Sequence, residues 1–385
     1  MKIDVANVQL KETGKLSYSQ FALVAVVLFI ATKVCTLPSV IANEAGSKSL
    51  WVVLLLFAAE CGVLYFAAQT ARQGGLFALP IPRGWKIAAA IPLLAFFALK
   101  LAAFTREIAT YYALSLFESV PVLPIAVILL VFTCLFAHKG FSSLGRSAEV
   151  FLWLFVFVFL FIILFTRTQG NLFNALAIVN PDFDKVGSAS FQALGWFGDA
   201  AVIQLVDLSG ANGSAIQKSE PPAKCDPRKK ILAAALLVSF LILTVFYTVF
   251  TSVYGDAAKM TDYAFIKLSA FKANTDELGS ADWPMITLWA IVSCLYLALV
   301  LLAGKECAVG AMREMTGKES KGRLAFVLLC LFALALSFFV MDEATDYTAF
   351  MTKGMSIATA VAAAVTVAVG VAALSHKKEN HEKQN

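Results

Sequence analysis

FALVAVVLFIATKVCTLPSVIA (21–42) is apolar over a length that crosses a bilayer, yet it interrupts its own helix. Pro38 has no amide hydrogen and disfavours helix at Leu37. Thr32, Lys33 and Thr36 set polar groups just before it. A second stretch, SFQALGWFGDAAVIQLVDL (190–208), breaks in the same manner: Gly195 and Gly198 weaken the helix around Trp196 and Phe197, and Asp199 follows directly. These two stretches are the first and sixth of the apolar runs, so they open the two halves of a five-plus-five arrangement. Interrupted segments at corresponding positions of two halves point to a small-molecule site at the membrane midplane. The freed N–H groups suit an anionic group and the freed carbonyls suit a cation or ammonium, a geometry that fits an amino acid zwitterion.

Composition agrees with a membrane protein. The chain has 385 residues, 59% hydrophobic and 15% charged, with 32 Phe. Soluble domains hold about 45–50% apolar and about 25% charged residues. Disorder is excluded by the same figures. Runs such as VFLWLFVFVFLFIILF (150–165) are continuous rather than alternating, which selects helices over a β-barrel. The expected fold is an all-α polytopic membrane protein of about ten helices. Its spans are 18–43 (interrupted), 49–71, 85–113, 121–138, 147–167, 188–209 (interrupted), 229–254, 283–307, 322–341 and 347–374. Residues 172–186 read as interfacial, and MTDYAFIKLSAF (260–271) as a short helix outside the membrane. No signal peptide is expected at the N-terminus.

Loop charge sets the expected orientation. Twenty Lys and Arg, among them Lys2, Arg72, Arg83, Arg228 and Lys318, fall on the side of the N-terminus, and six, including Lys48 and Lys272, on the other. Basic residues collect on the cytoplasmic side, so both termini are expected there. The formal net charge of +5 is a product of this placement and does not call for nucleic acid. The expected organisation is a cytoplasmic segment 1–17, a transporter-like domain 18–374 with repeats 18–167 and 188–374, and a polar, disordered tail 375–385.

Ionisable groups inside the bilayer cost about 2.5–3.5 kcal/mol on insertion scales and mark functional sites. Lys33, Glu60, Lys100, Asp199 and Asp207 are the candidates. Lys33 either pairs inward or snorkels outward; paired inward, it is predicted to take the place of a bound cation at the first break. Glu60 reads as a protonated core acid, as a salt-bridge partner of Lys33 or Lys100, or as a proton carrier. Asp207 reads as a solvated cap. Cys35, Cys61, Cys134, Cys225, Cys294, Cys307 and Cys330 read as small core residues, without the spacing of disulfides or metal ligands. No nucleotide-binding, hydrolase or metalloprotease motif occurs, so no enzyme activity, cofactor or metal is expected.

The chain resembles the spore-germination permease family, the multi-span B-type subunits of nutrient germinant receptors within the amino acid–polyamine–organocation transporter superfamily. The likeness covers about residues 16–340. It rests on LSYSQF (16–21), TLP (36–38) followed by AGSKSLW (45–51), RE (106–107), HKGFSSLGRSAEVF (138–151), FGD (197–199) and ELGSADWPMITLW (277–289). The resemblance implies two inverted five-helix repeats and a pocket between spans one, three, six and eight. Carried over by position, that pocket uses Thr32, Lys33, Cys35, Thr36, Trp196, Phe197, Gly198 and Asp199, with Ser293 and Tyr296 from span eight. The family usually has Gly-rich sequence where this chain has Thr32 to Cys35, and often Glu where Asp199 stands. The implied function is nutrient binding, of an amino acid, as a germinant-receptor subunit in the spore inner membrane. Its partners there are membrane lipids, a membrane subunit with cytoplasmic domains and a lipoprotein. The alternative is a secondary transporter of an amino acid or related compound.

Overall fold

The computed structural model describes residues 18–115, 120–166, 183–206, 227–261, 263–270, 282–318, 322–341 and 344–382. The described segments are helical. They run α1 (Tyr18–Ile30), α2 (Leu37–Ala45), α3 (Ser49–Arg72), α4 (Arg83–Ser115), α5 (Val122–Ala137), α6 (Phe141–Thr166) and α7 (Phe183–Ala193). After them come α8 (Pro227–Tyr254), α9 (Ala264–Ala270), α10 (Asp282–Thr316), α11 (Arg323–Phe339), α12 (Ala344–Ala349) and α13 (Ser356–Glu382). Asp207, Cys225 and the interfacial stretch up to 182 lie outside the described residues.

Five helices of the described residues are each long and apolar enough to cross a membrane: Ser49–Arg72, Arg83–Leu114, Ala233–Met260, Ile286–Thr316 and Asp346–His376. α5 and α6 pass together with a 110° bend between them, at a turn where Gly140 has φ 81°. α1 and α11 are shorter apolar helices. The chain is an integral, multi-pass membrane protein. α10 is its centre: its apolar window is 83% buried, and it packs against α4, α5 and α6. α4 has 33 residues, about 50 Å at about 1.5 Å per residue, and outruns the roughly 30 Å hydrocarbon core.

The first span breaks over residues 31–36, where the chain runs in turns. Pro38 sits in the first turn of α2, where its missing N–H has no helical partner to lose. The break leaves carbonyls without intrahelical partners, and other elements satisfy them. Tyr247 of α8 donates its hydroxyl to the Lys33 carbonyl at 2.8 Å. The first amides of α9, Ala264 and Phe265, donate to the Cys35 and Val34 carbonyls at 3.0 and 3.1 Å. α9 thus docks end-on against the break, with Ala264, Phe265 and Leu268 buried. The short helix expected within 260–271 is present as α9, and its docking has a physical reason: orphan carbonyls need donors, and a helix N-terminus has donors to give.

The sixth span ends α7 at Ala193, turns through Leu194–Trp196, extends at Phe197 and resumes as a 3-10 turn over Asp199–Leu205. Gly198 adopts φ 86°, and a Cβ there would stand 2.7 Å from the Thr359 methyl. A Cβ on Gly195 would overlap the Met351 carbonyl. That carbonyl belongs to a π-helical stretch, Phe350–Met355, in the tenth span. The Gly195 amide donates to Ser356 Oγ at 3.1 Å, so the tenth span is clasped to the sixth-span break.

One difference from the expected organisation stands out. α13 continues to Glu382, through the polar tail expected to be disordered. The tail's Lys, Glu and His residues are compatible with helix, and the preceding turns nucleate it. Cys134 of α5 and Cys330 of α11 bring their sulfurs within 3.5 Å, both as thiols.

Candidate functional site

Lys33, Glu60, Lys100 and Asp199 come from four different spans and meet in one buried cluster. Their side chains are at most 1% exposed. Lys33 Nζ lies 2.7 Å from Asp199 Oδ2 and 3.3 Å from Glu60 Oε2. It also donates to the Leu28 carbonyl at 3.4 Å, at the end of α1. Lys100 Nζ lies 2.7 Å from Asp199 Oδ1 and donates to the Phe197 carbonyl at 2.5 Å, inside the sixth-span break. Tyr296 donates its hydroxyl to Asp199 Oδ1 at 2.8 Å. Glu60 Oε1 accepts the amides of Asp199 and Ala200 at 2.8 and 3.4 Å, which caps the 3-10 turn with a carboxylate from another helix. Phe29 and Phe197 present their rings to Lys33, and Phe96 and Phe104 present theirs to Lys100.

With all four groups ionised, two ammonium groups and two carboxylates sum to zero charge. Both oxygens of Asp199 are held by ammonium groups, so this residue organises the site rather than standing open. Lys33 does not snorkel: it is fully buried and directed inward.

A second polar cluster surrounds Glu107 of α4. Its Oε1 accepts the Thr36 hydroxyl, and the Thr36 amide at 3.2 Å. Its Oε2 accepts the Tyr347 hydroxyl at 2.8 Å. Trp196 Nε1 donates to Thr36 Oγ1 at 3.2 Å. Spans one, three, six and ten are tied together here. Glu107 lies at the N-terminus of α2, where a carboxylate is favoured.

Between the two clusters lies a small cavity walled by Thr32, Cys35, Glu107, Trp289, Ser293 and Tyr296, with Ala31, Phe104 and Ile108 as its apolar side. Its volume is about 10 Å³, room for about one water. Thr32 Oγ1, Ser293 Oγ and Trp289 Nε1 are buried and have no hydrogen-bond partner within the described residues. A buried polar group without a partner costs about 1–3 kcal/mol, so these three atoms ask for a ligand or water.

Eight of the ten pocket residues read from the sequence divide three ways. Thr32, Cys35, Ser293 and Tyr296 line the cavity; Thr36 and Trp196 belong to the Glu107 cluster; Lys33 and Asp199 belong to the charged cluster, with Glu60 and Lys100. Phe197 contributes a carbonyl and a ring, and Gly198 the backbone reversal. Glu107, Tyr247, Trp289 and Tyr347 were not singled out from the sequence as site residues. Glu107 had a signal: it stands seven residues after Lys100, two turns along the same helix face. Among the described residues no group of three or more His, Cys, Asp or Glu converges as a metal site.

No family model matches the chain, and no curated protein matches it. Solved structures do. A manganese transporter of Eremococcus coleocola, solved with an aromatic bis-isothiourea substituted compound, is 15% identical with a TM-score of 0.56, covering 90% of this chain and 76% of its own. A Na+-coupled sialic acid symporter in a substrate-bound outward-open state is 9% identical at 0.59, covering 91% and 89%. MhsT in complex with L-phenylalanine is 13% identical at 0.60, covering 91% and 89%. At these identities the likeness concerns the fold: about ten transmembrane helices in two inverted five-helix repeats, with helices one and six broken. The three neighbours are transporters, and what this chain shares with them is that fold.

Proposed function

We propose that the chain is a secondary active transporter of a small zwitterionic solute, an amino acid or a related compound, that binds beside the two helix breaks. The carrying observation is the cavity between the charged cluster and Glu107. It offers an indole N–H and two hydroxyls without partners on one side and a carboxylate on the other. An α-carboxylate suits the first set and an α-ammonium the second. A divalent metal as cargo fits poorly, because Asp199 and Glu60 already face Lys33 and Lys100. The reading involves no chemical step on the solute. At its present size the cavity holds no more than a water, so the state described is a closed one, and the solute enters when the breaks hinge apart.

The basic-residue count supports both termini in the cytoplasm. The germinant-receptor reading is carried by the ordered sequence motifs from LSYSQF to ELGSADWPMITLW. Under it the same pocket binds a nutrient in the spore inner membrane and signals to a membrane subunit and a lipoprotein without net transport. Purified protein in liposomes separates the two. Each amino acid of a panel is tested for thermal stabilisation of the protein and for gradient-driven uptake. The transporter reading expects at least one amino acid that does both. Stabilisation without time-dependent uptake would favour the receptor, and an absence of both would remove the amino acid.

A further inference from the structure

We infer that Lys33 and Lys100 are resident cations: their ammonium groups fill two oxygen-lined positions, one at each helix break, that would otherwise require an inorganic monovalent ion. In transporters built on broken helices, unwound carbonyls and helix C-terminal ends coordinate Na+ or take part in proton coupling. Here the end of α1 offers the Leu28 carbonyl, and the sixth-span break offers the Phe197 carbonyl. Asp199 stands between them, one oxygen toward each. The Lys33 position has one carbonyl and two carboxylate oxygens; the Lys100 position has one carbonyl and one carboxylate oxygen. Both ligand sets are oxygen only, as a hard cation requires. The rings of Phe29 and Phe197 flank the Lys33 ammonium, and those of Phe96 and Phe104 the Lys100 ammonium.

The opposite poles of the breaks are closed in the same way. The start of α2 is met by Glu107 and the start of the Asp199 turn by Glu60. Each break therefore has an ammonium for its carbonyl and a carboxylate for its amides, all supplied by the chain. An added Na+ would give the cluster an uncompensated positive charge in a dry interior. Because the two ammonium groups are covalently tethered, they cannot be exchanged across the membrane. Sodium at these two positions then neither drives nor gates the cycle. That consequence for coupling rests on the transporter reading; the occupancy of the two positions does not.

The experiment uses thermal unfolding of purified protein, which needs no transport. The unmodified protein is expected to melt at one temperature in Na+, K+ and choline buffers. Lys100→Ala empties one position while keeping Asp199, the Phe197 carbonyl and Tyr296, so its midpoint is expected to fall in choline. Na+ or ethylammonium should then restore most of the loss. Lys100→Met fills the space with an apolar stem and should show no restoration by either. Lys33→Ala is read in the same way and stands in if the Lys100 variant does not fold. A midpoint of the unmodified protein that rises with Na+ would overturn the inference. So would a Lys100→Ala variant with an unchanged midpoint, or one that loses stability and ignores both cations. Failure of amino acid uptake alone would leave the occupancy intact and count against the transporter.

Discussion

Asp199 is the anion that two buried ammonium groups share. Taking its charge away leaves Lys33 with Glu60 and the Leu28 carbonyl, and Lys100 with the Phe197 carbonyl. Breaking a buried pair by removing one partner costs about 3–5 kcal/mol. Asp199→Asn is therefore expected to lower the unfolding midpoint of the purified protein and to abolish solute stabilisation. A variant as stable as the unmodified chain would show that the lysines find other partners. Much of this was legible in the sequence, since charged residues in apolar runs are rare enough to be noticed one by one. Glu60 was read as a salt-bridge partner of Lys33 or Lys100, and it pairs with Lys33; the Lys33–Asp199 pair was not legible, because the two are 166 positions apart and only the fold brings them together. Glu107 was passed over for a different reason. It falls near the outer end of the expected span 85–113, yet the packing around α4 keeps it buried.

At the scale of elements, the two breaks were readable because proline and glycine act on the backbone locally. What covers them was not readable. The docking of α9 onto the Val34 and Cys35 carbonyls depends on two amides about 230 positions away in sequence, and a seven-residue helix gives no periodic signal strong enough to place it. The π-helical stretch of the tenth span was equally silent, since its backbone pattern answers to Gly195 across the interface. Gly198 tests the sixth-span break most sharply. Its φ of 86° costs a residue with a Cβ roughly 1–2 kcal/mol, and the Thr359 methyl adds a steric penalty. Gly198→Ala is expected to lose solute binding while its helical content by circular dichroism is unchanged. Normal binding by that variant would mean that the reversal at Gly198 does not shape the site.

For the whole molecule, composition and run length were enough to establish a polytopic helical membrane protein, because lipid demands internally satisfied backbones and a helix satisfies them segment by segment. The orientation follows from charge rather than from fold, and it has its own check. In a variant whose only cysteine is Cys225, between the sixth and seventh spans, a membrane-permeant thiol reagent should label intact cells. Labelling by an impermeant reagent would invert the orientation. The tail shows the limit of composition: a polar segment at the end of a long helix continues it to Glu382.

Alternating access about the two breaks is the property on which the functional reading turns, and counterflow measures it without assuming a driving ion. Liposomes holding the purified protein are loaded with an excess of the unlabelled amino acid that stabilises it, then diluted into a trace of the same amino acid in labelled form, in choline buffer. A transporter with resident ammonium groups is expected to draw the label inward, transiently above its outside concentration, with no sodium present, and Asp199→Asn is expected to lose the effect. Label that binds but never exceeds the outside concentration, or that does so only when sodium is added, would contradict it.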